Sequence, residues 1–169
     1  MNGGRGKKKI LVLGVGNVLL SDEGLGVRAV ERLAADYSIP PSVSLVDGGT
    51  GGLNLLPVIK GRAYVIIIDA IRGGQRPGAV YRLGAEKFSA ARRPLSSLHG
   101  LGVKELLEAA SLEGKLPGTI VLGMEPFDIS PGLGLSPLIE SRLPALIKSV
   151  EGELLKSGVR LKRKQRRGV

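Results

Sequence analysis

The chain contains no Cys and no Trp, a single His, two Phe and three Tyr among its 169 residues. The absence of Cys excludes structural disulfides, Cys-ligated zinc, iron–sulfur ligation and thiol catalysis together. The scarcity of aromatics leaves few platforms for stacking nucleobases, and none of them lies among the terminal charges. No apolar run approaches the roughly 18 residues of a membrane span. Ile10 to Leu20 follows a basic start, as the core of a signal peptide would. Gly14, Gly16 and Asn17 interrupt that run, however, and Ser21-Asp22-Glu23 follows it with no small-residue cleavage site. The expectation is a soluble, cytoplasmic, single-domain protein with no membrane contact, large enough to bury a real core. Its oligomeric state is not readable from the sequence.

The formal net charge of +10 is unevenly placed. All 15 acids lie between residues 10 and 155, where they meet 14 Lys+Arg, so the body is within one charge of neutrality. The surplus sits at Arg5, Lys7, Lys8 and Lys9, and from Lys156 to Arg167. This divides the chain into a basic N-terminal tail (1–8), a body (9–158) and a basic C-terminal tail (159–169) read as disordered. Charge runs of this kind are first of all solvated appendages, and no nucleic-acid partner is expected.

Within the body, apolar runs alternate with helical spacing. Residues 9–15 and 64–68 are continuous apolar runs suited to strands buried on both faces. Further strands are expected at 43–46, 79–83 and 119–123. Helices are expected over 22–37, 51–59, 99–110 (capped by Ser96 or Ser97) and 136–156, the last with Pro137 in its first turn. Residues 73–94 read as a loop-containing insertion over one sheet edge. The pattern implies an α/β fold, a three-layer sandwich in which a mostly parallel twisted sheet carries helices on both faces. Ligands of such sheets bind beyond the carboxyl ends of the strands.

Three strand ends carry residues that a core does not favour. The first strand leads into Gly14-Val-Gly-Asn-Val-Leu-Leu-Ser-Asp-Glu-Gly24. The second leads into Asp47-Gly-Gly-Thr-Gly51, and the third ends in Asp69. The histidine, His99, starts the next helix. Glu23, Asp69 and His99 form an oxygen and nitrogen donor set suited to a divalent metal with open positions, and donor chemistry does not choose among Zn, Ni, Mn and Fe. Each also has a plainer role: Glu23 at a helix N-terminus, Asp69 capping a turn, His99 merely opening a helix. The Gly14-x-Gly16 turn followed by Asp47 imitates a dinucleotide fingerprint. Its third glycine position is Leu19, and Asp22 and Glu23 would repel a pyrophosphate there.

These ordered segments, continued by Ser97-Leu-His-Gly-Leu-Gly102, Val121-Leu-Gly-Met-Glu-Pro126 and Gly134-Leu-Ser-Pro137, resemble the hydrogenase maturation endopeptidases over residues 9–158. The resemblance implies a protease that removes the C-terminal extension of a [NiFe] hydrogenase large-subunit precursor after nickel insertion. It implies Glu23, Asp69 and His99 as the metal-contacting and catalytic positions. It also implies Asp47, Gly48, Gly49 and Thr50 as the substrate-recognition loop. The nickel would arrive with the precursor, and zinc or another divalent ion could stand in for it. Leu98 departs from the Pro that many members place before the histidine, which relaxes the local backbone. With the one histidine so assigned, a Ser/His/Asp triad has no base. The rival readings are a nucleotide-binding α/β protein and a non-catalytic binder of the precursor.

Overall fold

The computed structural model describes residues 9–91, 102–114 and 116–165. In them the chain runs β1 (Ile10–Val15), a 3-10 turn (Ser21–Gly24), α1 (Leu25–Asp36), β2 (Tyr37–Ser38), β3 (Val43–Gly49), a second 3-10 turn (Gly52–Leu55), α2 (Leu56–Ile59) and β4 (Tyr64–Ala70). It continues through β5 (Val80–Gly84), α3 (Ala85–Ser89), α4 (Val103–Leu112), β6 (Gly118–Met124), α5 (Pro137–Lys156) and β7 (Lys162–Arg163).

Among the described residues, five strands form one sheet in the order β3-β1-β4-β6-β5. β1, β3, β4 and β6 are parallel, and β5 runs antiparallel along β6 at one edge. Side chains alternate between the two faces with period two. Ile10, Val12, Ile66, Ile68, Ile120 and Leu122 face one cluster, closed by α1 and α5. Leu11, Leu13, Val65, Ile67 and Val121 face the other, closed by α2, α3 and α4. Both clusters are apolar because helices cover both faces, which is why β1 and β4 read as unbroken apolar runs. The expected layered α/β sheet is therefore the observed one.

α5 shows how such a helix is specified. Ile139, Leu143, Leu146, Ile147, Val150 and Leu154 make its buried stripe. Pro137 occupies the first turn, where a missing N–H costs nothing, and the Ser136 hydroxyl accepts from the Ile139 N–H at 3.4 Å.

Three local readings differ from expectation. The helix expected from residue 22 begins at Leu25, because Ser21–Gly24 winds as a tighter 3-10 turn. The region expected as a loop-containing insertion holds the expected strand, observed as the edge strand β5, and adds the one-turn helix α3, whose Phe88 is buried in the second cluster. The chain also stays on the body past residue 158. Val159 and Leu161 pack against the first cluster, and β7 pairs with β2. The Arg163 guanidinium lies 5.4 Å from the centre of the Tyr37 ring, and the Lys164 amide donates to the Asp36 carbonyl at 2.8 Å. Two apolar anchors and an aromatic face hold this stretch despite its charge. The tail at 1–8, residues 166–169 and the expected cap at Ser96 or Ser97 lie outside the described residues.

One buried carboxylate ties the layers together far from the Asp69 end of the sheet. Glu153 on α5 is 3% exposed. It accepts from Arg82 Nε at 2.7 Å, Lys156 Nζ at 2.8 Å and the Tyr64 hydroxyl at 3.2 Å. The Arg82 guanidinium foremost holds its carboxyl down at about 2. A shift from 4.5 to about 2 corresponds to roughly 3 kcal/mol, which the exposure of Arg82 and Lys156 screens to about 1–2 kcal/mol. Glu153→Gln is expected to lose that much stability at pH 7 in urea unfolding. A depressed carboxylate stabilises only while ionised, so the gap should persist above pH 4.5 and close as the pH falls toward 2. Equal stabilities at pH 7 would show that the cluster contributes nothing.

Candidate functional site

The site forms where β1, β4 and β6 end side by side. Beyond β1 the chain must turn sharply toward α1. Gly16 makes that turn at φ 142°, and a Cβ there would lie 1.9 Å from the Glu23 carbonyl oxygen. The Asn17 side chain accepts from the Leu19 amide at 3.0 Å, and the Asn17 carbonyl accepts from the Leu20 amide at 3.1 Å. These bonds wind the chain into the 3-10 turn that carries Asp22 and Glu23.

The two neighbouring acids have opposite fates. Asp22 is fully buried and saturated. It accepts from the amides of Phe127 (3.0 Å), Asp128 (2.7 Å) and Ser136 (2.7 Å) and from the Ser136 hydroxyl (2.9 Å). Asp22 thus fastens the loop after β6 to the turn. Glu23 is 2% exposed, yet neither carboxylate oxygen has a hydrogen-bond partner among the described residues. The same holds for Oδ1 of Asp69, also 2% exposed, at the end of β4. The 3-10 turn packs on β4, and the Glu23 charge acts on Asp69. Burial first, and that neighbouring charge in addition, push the Asp69 carboxyl well above the usual range, against the opposing pull of the Ala70 amide. Buried carboxylate oxygens without partners are costly. Two such groups at a sheet edge are oxygen donors of the kind that could hold a cation.

The glycine-rich loop stands opposite. The Asp47 carboxylate accepts from the Gly49 amide at 2.9 Å, a local turn that sets the loop's shape. Gly49 (φ 46°), Thr50, Gly52 and Asp69 line one cleft with Val15, Gly16 and Gly102–Val103 at the start of α4. The structure therefore brings Asp69 together with Gly49 and Thr50. Gly48 lies under the loop, where a Cβ would meet Leu13 at 2.9 Å. Glu23 is not among the residues that line this cleft. His99 lies outside the described residues, three positions before Gly102 at the cleft margin. No group of three His, Asp or Glu side chains gathers as a metal cage among the described residues.

Glu125 carries a role that sequence reasoning missed. It follows β6 at the same sheet edge. Its Oε2 accepts from the amides of Gly73 (2.9 Å), Gly74 (3.0 Å) and Gln75 (3.2 Å) and from the Tyr81 hydroxyl. It thereby shapes the loop that leaves Asp69. The available signal was its position, an acid at a strand end like Asp69 itself.

The family model described as hydrogenase maturation protease matches residues 27–153. The hydrogenase 2 maturation protease of Escherichia coli is 39% identical over 153 residues, covering 89% of this chain and 93% of that protein. The hydrogenase expression/formation protein HupD of Rhodobacter capsulatus is 36% identical, covering 90% of this chain and 74% of that protein. The solved structure of the hydrogenase maturating endopeptidase HybD from E. coli superposes with a TM-score of 0.85 at 37% identity, over 92% of this chain and 98% of that one.

Proposed function

From the premise that this chain belongs to the hydrogenase maturation protease family, we propose that it is the endopeptidase that removes the C-terminal extension of a [NiFe] hydrogenase large-subunit precursor after nickel insertion. Nickel is part of the substrate, and Glu23, Asp69 and His99 are the groups that meet it. The observation that carries this reading is the set of buried carboxylate oxygens on Glu23 and Asp69 that have no hydrogen-bond partner among the described residues. An exposed coordination position on a substrate-held metal would satisfy them and seat the scissile peptide at the sheet edge. Asp47 holds the loop of Gly48, Gly49 and Thr50 so that a peptide backbone can approach where glycines leave room. The two acids at the entry to α1 disfavour the rival anion-binding reading, because they would oppose a phosphate. Among the described residues no helix is long and apolar enough to cross a membrane.

The test is incubation of the purified chain with nickel-loaded and nickel-free precursor, followed by intact-mass analysis. The expected result is loss of the extension from the loaded form alone, with zinc-loaded precursor as the probe for a surrogate ion. Equal cleavage of the nickel-free form would remove the metal contact from the reading. Stable co-purification with no mass loss would make the chain a non-catalytic binder.

A further inference from the structure

Leu19, Phe127 and Leu133 are 61%, 64% and 80% exposed, although each is a large apolar side chain. They come from two loops that are bound to each other. The Gly132 amide donates to the Leu19 carbonyl at 2.9 Å, and the Ser21 amide donates to the Gly132 carbonyl at 3.0 Å. Leu20 and Gly132 form a parallel bridge. Phe127 is held by its own amide on the Asp22 carboxylate. These loops leave β1 and β6, the two strands that flank β4, so they meet beyond the strand that carries Asp69 near its end. The exposed side chains therefore stand on the fastened backbone that also carries Glu23.

Solvent-exposed apolar groups on a rigid backbone beside a site mark a contact surface, since they gain by burial and lose little entropy in binding. The geometry points to Leu19, Phe127 and Leu133 as a docking patch for an apolar surface of the precursor beside its scissile segment. This rests on the proposed precursor reading. The place of these loops beyond the strand that carries Asp69 selects this occupant, because a chain threading past Asp69 brings its parent protein against them. Three side chains fall well short of the roughly 800 Å² per partner that a stable dimer buries. They suit a transient enzyme–substrate contact in which a few central residues carry the affinity.

The experiment uses the full chain and nickel-loaded precursor, comparing the wild type with Leu19→Ser/Phe127→Ser/Leu133→Ser and with Leu133→Ser alone. The expected result is a KM raised roughly tenfold or more in the triple variant, with kcat within about twofold. The side chains are exposed, so unfolding midpoints should hold; if the triple variant unfolds, Leu133→Ser alone decides, with an expected rise in KM of about threefold. Wild-type cleavage with an unchanged KM in the deciding variant overturns the patch and leaves the function standing. Failure of the wild type to cleave overturns both. A wild-type dimer in sedimentation velocity that the substitutions dissociate also overturns it, by making a second copy the occupant.

Discussion

Glu23→Gln is expected to lower the rate of extension removal by about 10²-fold or more, without loss of the fold. The substitution keeps the shape and volume of the side chain, and the close approach at Gly16 is to the residue's main-chain carbonyl, so the packing is preserved. It removes a buried carboxylate that has no hydrogen-bond partner among the described residues and whose charge acts on the buried Asp69. Relief of that repulsion should raise the unfolding midpoint or leave it unchanged. A neutral amide is a poor ligand, so the metal-bearing precursor loses one of its contacts. A side chain kept for function rather than for the fold behaves in this way, losing activity and keeping or gaining stability on substitution. A purely structural Glu23 would do the reverse: the variant would melt lower and process normally. Paired measurement of the unfolding midpoint and of the initial rate with nickel-loaded precursor separates the two. Normal processing by Glu23→Gln would remove Glu23 from the site.

The contrast between Asp22 and Glu23 also shows where sequence reasoning stops. Both are acids at one helix entry, and local pattern treats them alike. Their difference arises from residues 127–136, more than a hundred positions away, which supply every donor to Asp22 and none to Glu23. Glu23 and Asp69 were legible as candidates because both follow apolar strands, where a carboxylate has no packing reason to be. The sheet was legible because burial on both faces leaves an unbroken apolar run. α3 and the β2–β7 pair were not, since five residues and two residues are too short to display a period. The basic stretch beyond residue 158 misled because charge dominates its composition, while Val159 and Leu161 decide where it goes. Glu125 was hidden for the reason that hid Asp22: its donors lie some fifty positions back along the chain.

Gly26→Ala should cost more stability than any surface or charge substitution considered above, by more than about 3 kcal/mol out of a total of order 5–15 kcal/mol. α1 crosses β1 and β4 with backbone against backbone. A Cβ at Gly26 would lie 2.1 Å from the Ile68 carbonyl oxygen, 2.3 Å from that of Val15 and 2.6 Å from the Val15 nitrogen. All three are main-chain atoms of central strands, so no rotamer change relieves the clash and the helix must move off the sheet. Gly14 on β1 makes the facing half of this contact, with a Cβ there 2.1 Å from the Gly26 carbonyl oxygen. The turn carrying Glu23 runs directly into α1, and Ile68 precedes Asp69. Lifting the helix therefore separates the two carboxylates as well as opening the core, and a displacement near 1 Å at a reacting centre costs about a hundredfold in rate. The expected result is poor soluble yield, a collapsed unfolding midpoint, and little processing by whatever folds. Gly152→Ala is the control. It lies in α5, a Cβ there meets nothing within 4 Å, and alanine favours the helix. It should melt at or above the wild-type temperature and process the precursor at the wild-type rate. If Gly26→Ala also melted within about 2 °C of the wild type and processed normally, the close approach of α1 to the sheet would not be what sets Glu23 against Asp69.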